Sequence, residues 1–180
     1  MKILILLILI TNLYSDVKQT MFNLYQNKKY SKVCNIGFNN FKKNKTDEEF
    51  ISLYAFSCLN SDYIDRLAVP SAMLKFSKES RANSAYFAVI LMQKKLLYHS
   101  LIDDYNLSAL KLPTTEYILS KVFDLYSKLG KHKKRSFYLF EDPNDKKLRY
   151  KLYLVESNKV KKMVIEESYN DVSIKKHIFW

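Results

Sequence analysis

Glycine is nearly missing from this chain: 2 in 180 residues, beside 3 prolines. Folds with many tight turns rely on glycine at positive φ, and phosphate-cradling loops rely on its bare backbone. A nucleotide-binding glycine loop is therefore excluded. Histidine is also scarce. His99, His132 and His177 lie far apart, with no spacing that suits a metal. There is no Gly-x-Ser-x-Gly elbow, no Ser-x-x-Lys motif and no Cys-x-x-Cys pair. The carboxylates come in runs, as at Asp47-Glu48-Glu49 and Asp103-Asp104, which suits helix starts and solvent better than acid–base chemistry. No cofactor is implied and no reaction is spelled out.

What the chain has is apolar and basic. Hydrophobic residues make up 48% and aromatics 14%, enough for a packed core. The formal charge is +12. Between Lys128 and Lys162 twelve Lys/Arg face four Asp/Glu. Lys133, Lys134, Arg135, Lys146, Lys147, Arg149 and Lys151 form a candidate anion-binding patch. It suits phosphates, lipid head groups or an anionic envelope polymer, and equally a solvated surface. Tyrosines among these cations could stack bases, which keeps nucleic-acid binding as a third reading.

The first fifteen residues carry Lys2, then an unbroken apolar run from Ile3 to Ile10, then a polar stretch ending at Ser15. That order is the layout of a secretory signal peptide over 1–15, and the run is too short to span a bilayer as a helix. The expected location is exported and periplasmic, with anchoring by an uncleaved signal as the alternative. Cys34 and Cys58 are the only cysteines. In an oxidising compartment an isolated pair joins, and otherwise they are two small buried hydrophobes.

From Asp16 to Lys134 the apolar spacing is helical. Tyr30, Val33, Cys34, Phe38 and Phe41 form one stripe, and Phe50, Ile51, Leu53, Tyr54, Phe56 and Leu59 another. Thr46 with Glu49 has the capping-box spacing, Asn83 and Thr114 are further caps, and Gly130 is a helix stop. A helix from Tyr63 to Phe76 should be bent or interrupted near Pro70. Breaks at Asn27-Lys28-Lys29, Asn60-Ser61-Asp62 and Gln93-Lys94-Lys95 recur at intervals of 33 residues. That period, with Leu59-Asn60-Ser61-Asp62-Tyr63 at one turn, resembles the tetratricopeptide family of helix-hairpin repeats, in a divergent member from a bacterial cell envelope. The resemblance implies a stacked superhelix over 16–134 with a concave groove for a protein or peptide, and Tyr25, Asn27, Tyr54 and Asn60 as groove residues.

After Lys134 the period changes to two. Phe137 and Leu139, then Leu148, Tyr150, Leu152 and Leu154, alternate with polar residues. Residues 135–180 should form a small antiparallel β-meander packed on the last helices. The expected fold is thus mainly α, a tetratricopeptide-like superhelix with a C-terminal meander. The expected function is a non-catalytic binding or scaffold protein of the cell envelope. The alternative is an envelope enzyme or accessory subunit acting on an anionic polymer through the basic C-terminal region.

Overall fold

The computed structural model describes residues 17–180, so the expected signal segment lies outside the described residues. They form six α-helices and then one sheet: α1 (Val17–Gln26), α2 (Tyr30–Asn40), α3 (Glu48–Leu59), α4 (Ala68–Met73), α5 (Lys78–Asp103), α6 (Ile118–Ser127), β1 (Phe137–Glu141), β2 (Leu148–Ser157), β3 (Val160–Tyr169) and β4 (Val172–Phe179). The strands are antiparallel in the order β1-β2-β3-β4. The described helices pack on one face of this meander, and among the described residues none of them covers the other.

Local chemistry sets the ends of these elements. Asp47 caps α3 by accepting from the Phe50 amide at 3.0 Å, with Glu48 and Glu49 in the first turn. Ser77 caps α5 by accepting from the Ser80 amide at 2.9 Å. The β2–β3 and β3–β4 hairpins turn on Asn158-Lys159 and Asn170-Asp171, and all four residues have positive φ. Two such residues in a row match the right-handed twist of the flanking strands.

The inner face of the sheet presents Tyr138, Phe140, Tyr150, Leu152, Met163, Ile165 and Phe179 to the helices. There they join Leu97 and Leu101 of α5 and Leu119, Val122 and Phe123 of α6 in one core. At the sheet's far corner, buried Asp142 accepts a hydrogen bond from the Tyr150 hydroxyl.

A tetratricopeptide-like superhelix is not what forms. The helices run 10, 11, 12, 6, 26 and 10 residues, too unequal to repeat. The sheet is a full layer, and only the C-terminal meander agrees with the sequence expectation. The break expected at Gln93-Lys94-Lys95 falls mid-way through unbroken α5. Gln93 donates to the Pro113 carbonyl, and Lys94 donates to Asp65 and the Trp180 carbonyl. Polar residues that look like a turn are held in the helix by tertiary partners. The helix expected from Tyr63 to Phe76 is instead a 3-10 turn at Ile64–Leu67 followed by α4, with Pro70 tolerated in the first turn.

Gly37 shows how closely α2 and α3 approach. A Cβ there would lie 2.6–2.8 Å from Cδ2, Cβ and Cγ of Tyr54. Those atoms are the root of a buried side chain and cannot swing away. Alanine favours a helix interior over glycine by about 1 kcal/mol, but forced overpacking costs about 1–3 kcal/mol and more where nothing yields. Gly37→Ala should therefore lower stability by about 2 kcal/mol net, read in a urea titration. A variant as stable as the parent would mean that the two helices separate freely.

Candidate functional site

Titratable side chains converge where the helices meet the sheet. Asp62 sits in the turn after α3 with φ of 62°, Tyr117 just before α6, Glu167 on β3 and His177 on β4. His177 is 3% exposed. Its Nδ1 lies 2.8 and 3.0 Å from the two Asp62 oxygens, and its Nε2 lies 2.9 Å from Glu167 Oε1. A ring facing an acceptor at both nitrogens satisfies both only as the imidazolium. The Tyr117 hydroxyl donates to Asp62 at 2.7 Å, and its ring stands edge-on to His177. Phe179 stacks on the opposite side.

A second buried cation repeats the arrangement. Lys94, 3% exposed, donates to Asp65 Oδ2 at 2.9 Å and to the Trp180 carbonyl at 2.9 Å. Burial holds its pKa below the usual lysine value, against the opposing pull of Asp65. Two carboxylates of the 62–65 turn are thus tied to β4, one through His177 and one through Lys94.

The chemistry open to this cluster is narrow. His177 has no nitrogen left for a substrate. Burial, with Asp62 alongside, pushes the Tyr117 phenol well above its ordinary value, so it stays protonated. A cleft of about 240 Å³ beside the cluster reaches Glu116 and Lys175, and one of about 140 Å³ lies against Lys94 and Trp180. The cluster acts as a strut between layers.

The outer face of the sheet is different in kind. The strand register places Phe137, Tyr153, Val164 and Ile178 side by side across all four strands. The next row is Leu139, Lys151, Glu166 and Lys176. Lys151 Nζ lies 4.8 Å from the Phe137 ring and 5.5 Å from the Tyr153 ring. Lys162 Nζ lies 5.6 Å from the ring of Trp180, which is 63% exposed. Phe137, Leu139, Val155 and Ile178 are exposed as well. Phe137 and Ile178 at the ends of the row thus face solvent, edged by Arg149, Lys151, Lys162 and Lys176, while Val164 within it is 3% exposed.

The residues expected to line a helical groove do not converge. Tyr25 lines a cleft of about 500 Å³ between α1 and α3, with Phe22, Leu53 and Phe56. Asn60 touches Tyr25 and also borders the cleft beside His177. Asn27 bonds back to its own helix at the Asn23 carbonyl, and Tyr54 is buried in the core. Cys34 and Cys58 are joined in a disulfide between α2 and α3.

The basic patch divides. Arg149 and Lys151 lie on the outer face, and Arg149 pairs with Asp171 and Glu141. Lys146 and Lys147 are exposed on the β1–β2 connection. Lys133, Lys134 and Arg135 lie in the segment leading into β1, where Lys134 donates to the Ile102 carbonyl and Arg135 lies over the Tyr138 ring.

Sequence reasoning missed His177, Asp62, Glu167 and Lys94. Strand parity gives no signal for His177, since the apolar Val172, Ile174 and Ile178 alternate on the other face of β4, and only the pairing of His177 with Ile165 turns it inward. No protein family, curated protein or solved structure matches this chain.

Proposed function

We propose that this is an exported, non-catalytic binding protein of the cell envelope that engages a protein partner through the outer face of its sheet. The observation that carries this reading is the row Phe137–Tyr153–Val164–Ile178, flanked by Leu139, Val155 and Trp180 and edged by cations. The face mixes the aromatic rings of Phe137, Tyr153 and Trp180 with the aliphatic side chains of Leu139, Val155 and Ile178. They pack well against an apolar protein surface. Lys151 and Lys162 then favour a partner with acidic groups around an apolar centre, while Arg149 and Lys176 already pair with Glu141, Asp171 and Glu166. Export is supported by the layout of residues 1–15 and by the disulfide, a bond that persists in oxidising compartments.

The test is crosslinking of the tagged full chain in its own envelope, read by mass spectrometry. A Leu139→Glu/Ile178→Glu variant should lose roughly tenfold or more of the captured partner while melting as the parent does. Phe22→Glu, on the helical side, should capture it normally. The same capture by all three proteins would overturn the reading. So would recovery of only glycan or nucleic acid.

A further inference from the structure

One end of the helical layer gathers the starts of α1, α3 and α5. Lys18 on α1 bonds Asp47 at 3.0 Å and Glu49 at 2.9 Å. The Glu48 carboxylate accepts from the backbone amides of Lys75, Phe76 and Ser77 at 2.7, 2.8 and 3.0 Å. From the other side, Arg81 donates to the carbonyls of Lys75 and Phe76 at 3.2 and 2.7 Å. The 75–77 turn is therefore fixed through both its amides and its carbonyls.

What this turn presents is unusual. Phe76 is 72% exposed, with the Lys75 ammonium 5.2 Å from its ring. A single exposed phenylalanine on a loose loop needs no explanation. One held outward by five hydrogen bonds has its position specified. Lys42, Lys43, Lys45, Lys75 and Lys78 are exposed in the sequences leading into α3 and α5, whose starts the Glu48 carboxylate joins at this turn. Counting Lys18 and Arg81, seven cations share this end with the four carboxylates Asp47, Glu48, Glu49 and Glu79. Asp47, Glu48 and Glu49 are already taken up by Lys18 and by the turn's amides.

We infer that this end docks on the surface of an anionic lipid bilayer, with Phe76 inserted among the head groups and the lysines paired to them. Aromatic rings beside lysines are the composition that settles at a membrane interface. Among the described residues no helix is long and apolar enough to cross a membrane, so this contact is peripheral. The clamp holding Phe76 withstands acid, because the turn's amides, that of Phe76 first, hold the Glu48 carboxyl down to about 2.

The geometry also places the sheet. Lys94 and Tyr98 are where α5 touches the strands, through the Trp180 and Lys161 carbonyls. Lys78 precedes Lys94 by sixteen residues, roughly 24 Å along the helix. These contacts of α5 with the sheet thus lie about that far from the Lys78 end of the helix. The inference stands on different residues from the proposed function and can fail separately.

The test moves the tryptophan. In the full chain, Phe76→Trp combined with Trp180→Phe reports on the turn, and the parent reports on the sheet through Trp180. Each is mixed with phosphatidylglycerol or phosphatidylcholine vesicles containing brominated acyl chains. Trp at position 76 should be quenched in phosphatidylglycerol only, and Trp180 in neither. Adding Lys75→Gln and Lys78→Gln should raise the half-saturating lipid concentration about fivefold per lysine. The inference is overturned if position 76 stays unquenched on sedimenting vesicles. Equal quenching in both lipids, quenching of Trp180 instead, or half-saturation unmoved by the lysine changes would also overturn it.

Discussion

His177→Ala is expected to destabilise the fold by about 3–5 kcal/mol, the range for removing one partner of a buried ion pair. The Asp62 and Glu167 carboxylates would be left facing each other across the space the ring held, and both are only about one-fifth exposed. Packing against Tyr117 and Phe179 goes with it. His177→Gln should cost less, because an amide can still donate to one carboxylate.

The same site predicts a pH dependence with a definite sign. Burial by itself would lower the His177 pKa, but the hydrogen bonds its ring donates to Asp62 and Glu167 outweigh it and hold the value above the ordinary 6.5. A group whose pKa is raised by folding stabilises fully below its unfolded value and loses that contribution as pH rises through the folded one. The parent should thus lose stability from about pH 6.5 upward, while His177→Gln stays flat over the same range. Glu167 runs the other way. The His177 hydrogen bond holds it below 4.5, so its contribution fades only as the pH falls through that depressed value. Urea titrations of both proteins between pH 5 and 9 decide the matter. Parallel curves, or a parent that gains stability on the alkaline side, would show that His177 is not the charged strut.

Alternation made the sheet legible. Leu148, Tyr150, Leu152 and Leu154 keep one parity through β2, and the turn residues at 158–159 and 170–171 mark its neighbours. The helical half was harder to read because its polar residues do not all mean solvent. Gln93 and Lys94 look like a hinge, yet both are buried and bonded to segments distant in the chain. That one misreading produced the 33-residue period, and with it the superhelix and groove. Cap positions slipped as well. The spacing of Thr46 and Glu49 suggested a cap at Thr46, but Asp47 takes the role. Asn83, expected to open α5, lies inside it. The seam cluster had no sequence signature, since Asp62 and His177 stand 115 positions apart and meet only after the sheet folds onto the helices. The parity of β1 misleads: alternation groups Phe137 and Leu139 with the apolar side of β2, whereas Tyr138 and Phe140 turn inward and Phe137 and Leu139 face out. Nothing in the sequence says that this side, rather than the other, stays uncovered.

Reducing the Cys34–Cys58 disulfide should cost about 3.5 kcal/mol, because the bond closes a 24-residue separation and restricts the unfolded chain accordingly. For a chain of this size that is a fall in melting temperature of roughly 10 °C. The loop it closes, residues 34–58, holds the end of α2, Asp47 of the Lys18 contact and α3 up to Cys58, four residues before Asp62, so loosening it reaches the seam. Both sulfurs are fully buried, and Cys34 also meets the Arg66 guanidinium at 3.3 Å. Arg66 is in turn sandwiched between the exposed rings of Phe38 and Tyr63. Thermal melts with and without reductant, beside a Cys34→Ala/Cys58→Ala variant, separate two effects. The reductant acts on the crosslink alone, and the variant adds the loss of buried sulfur. A drop shared by both, somewhat larger in the variant, would mean that the fold depends on an oxidising compartment, as export requires. Melts indifferent to reductant would mean that packing of α2 on α3, enforced at Gly37 and Tyr54, already restricts the chain as much as the bond does. The strongest structural support for export would then be gone.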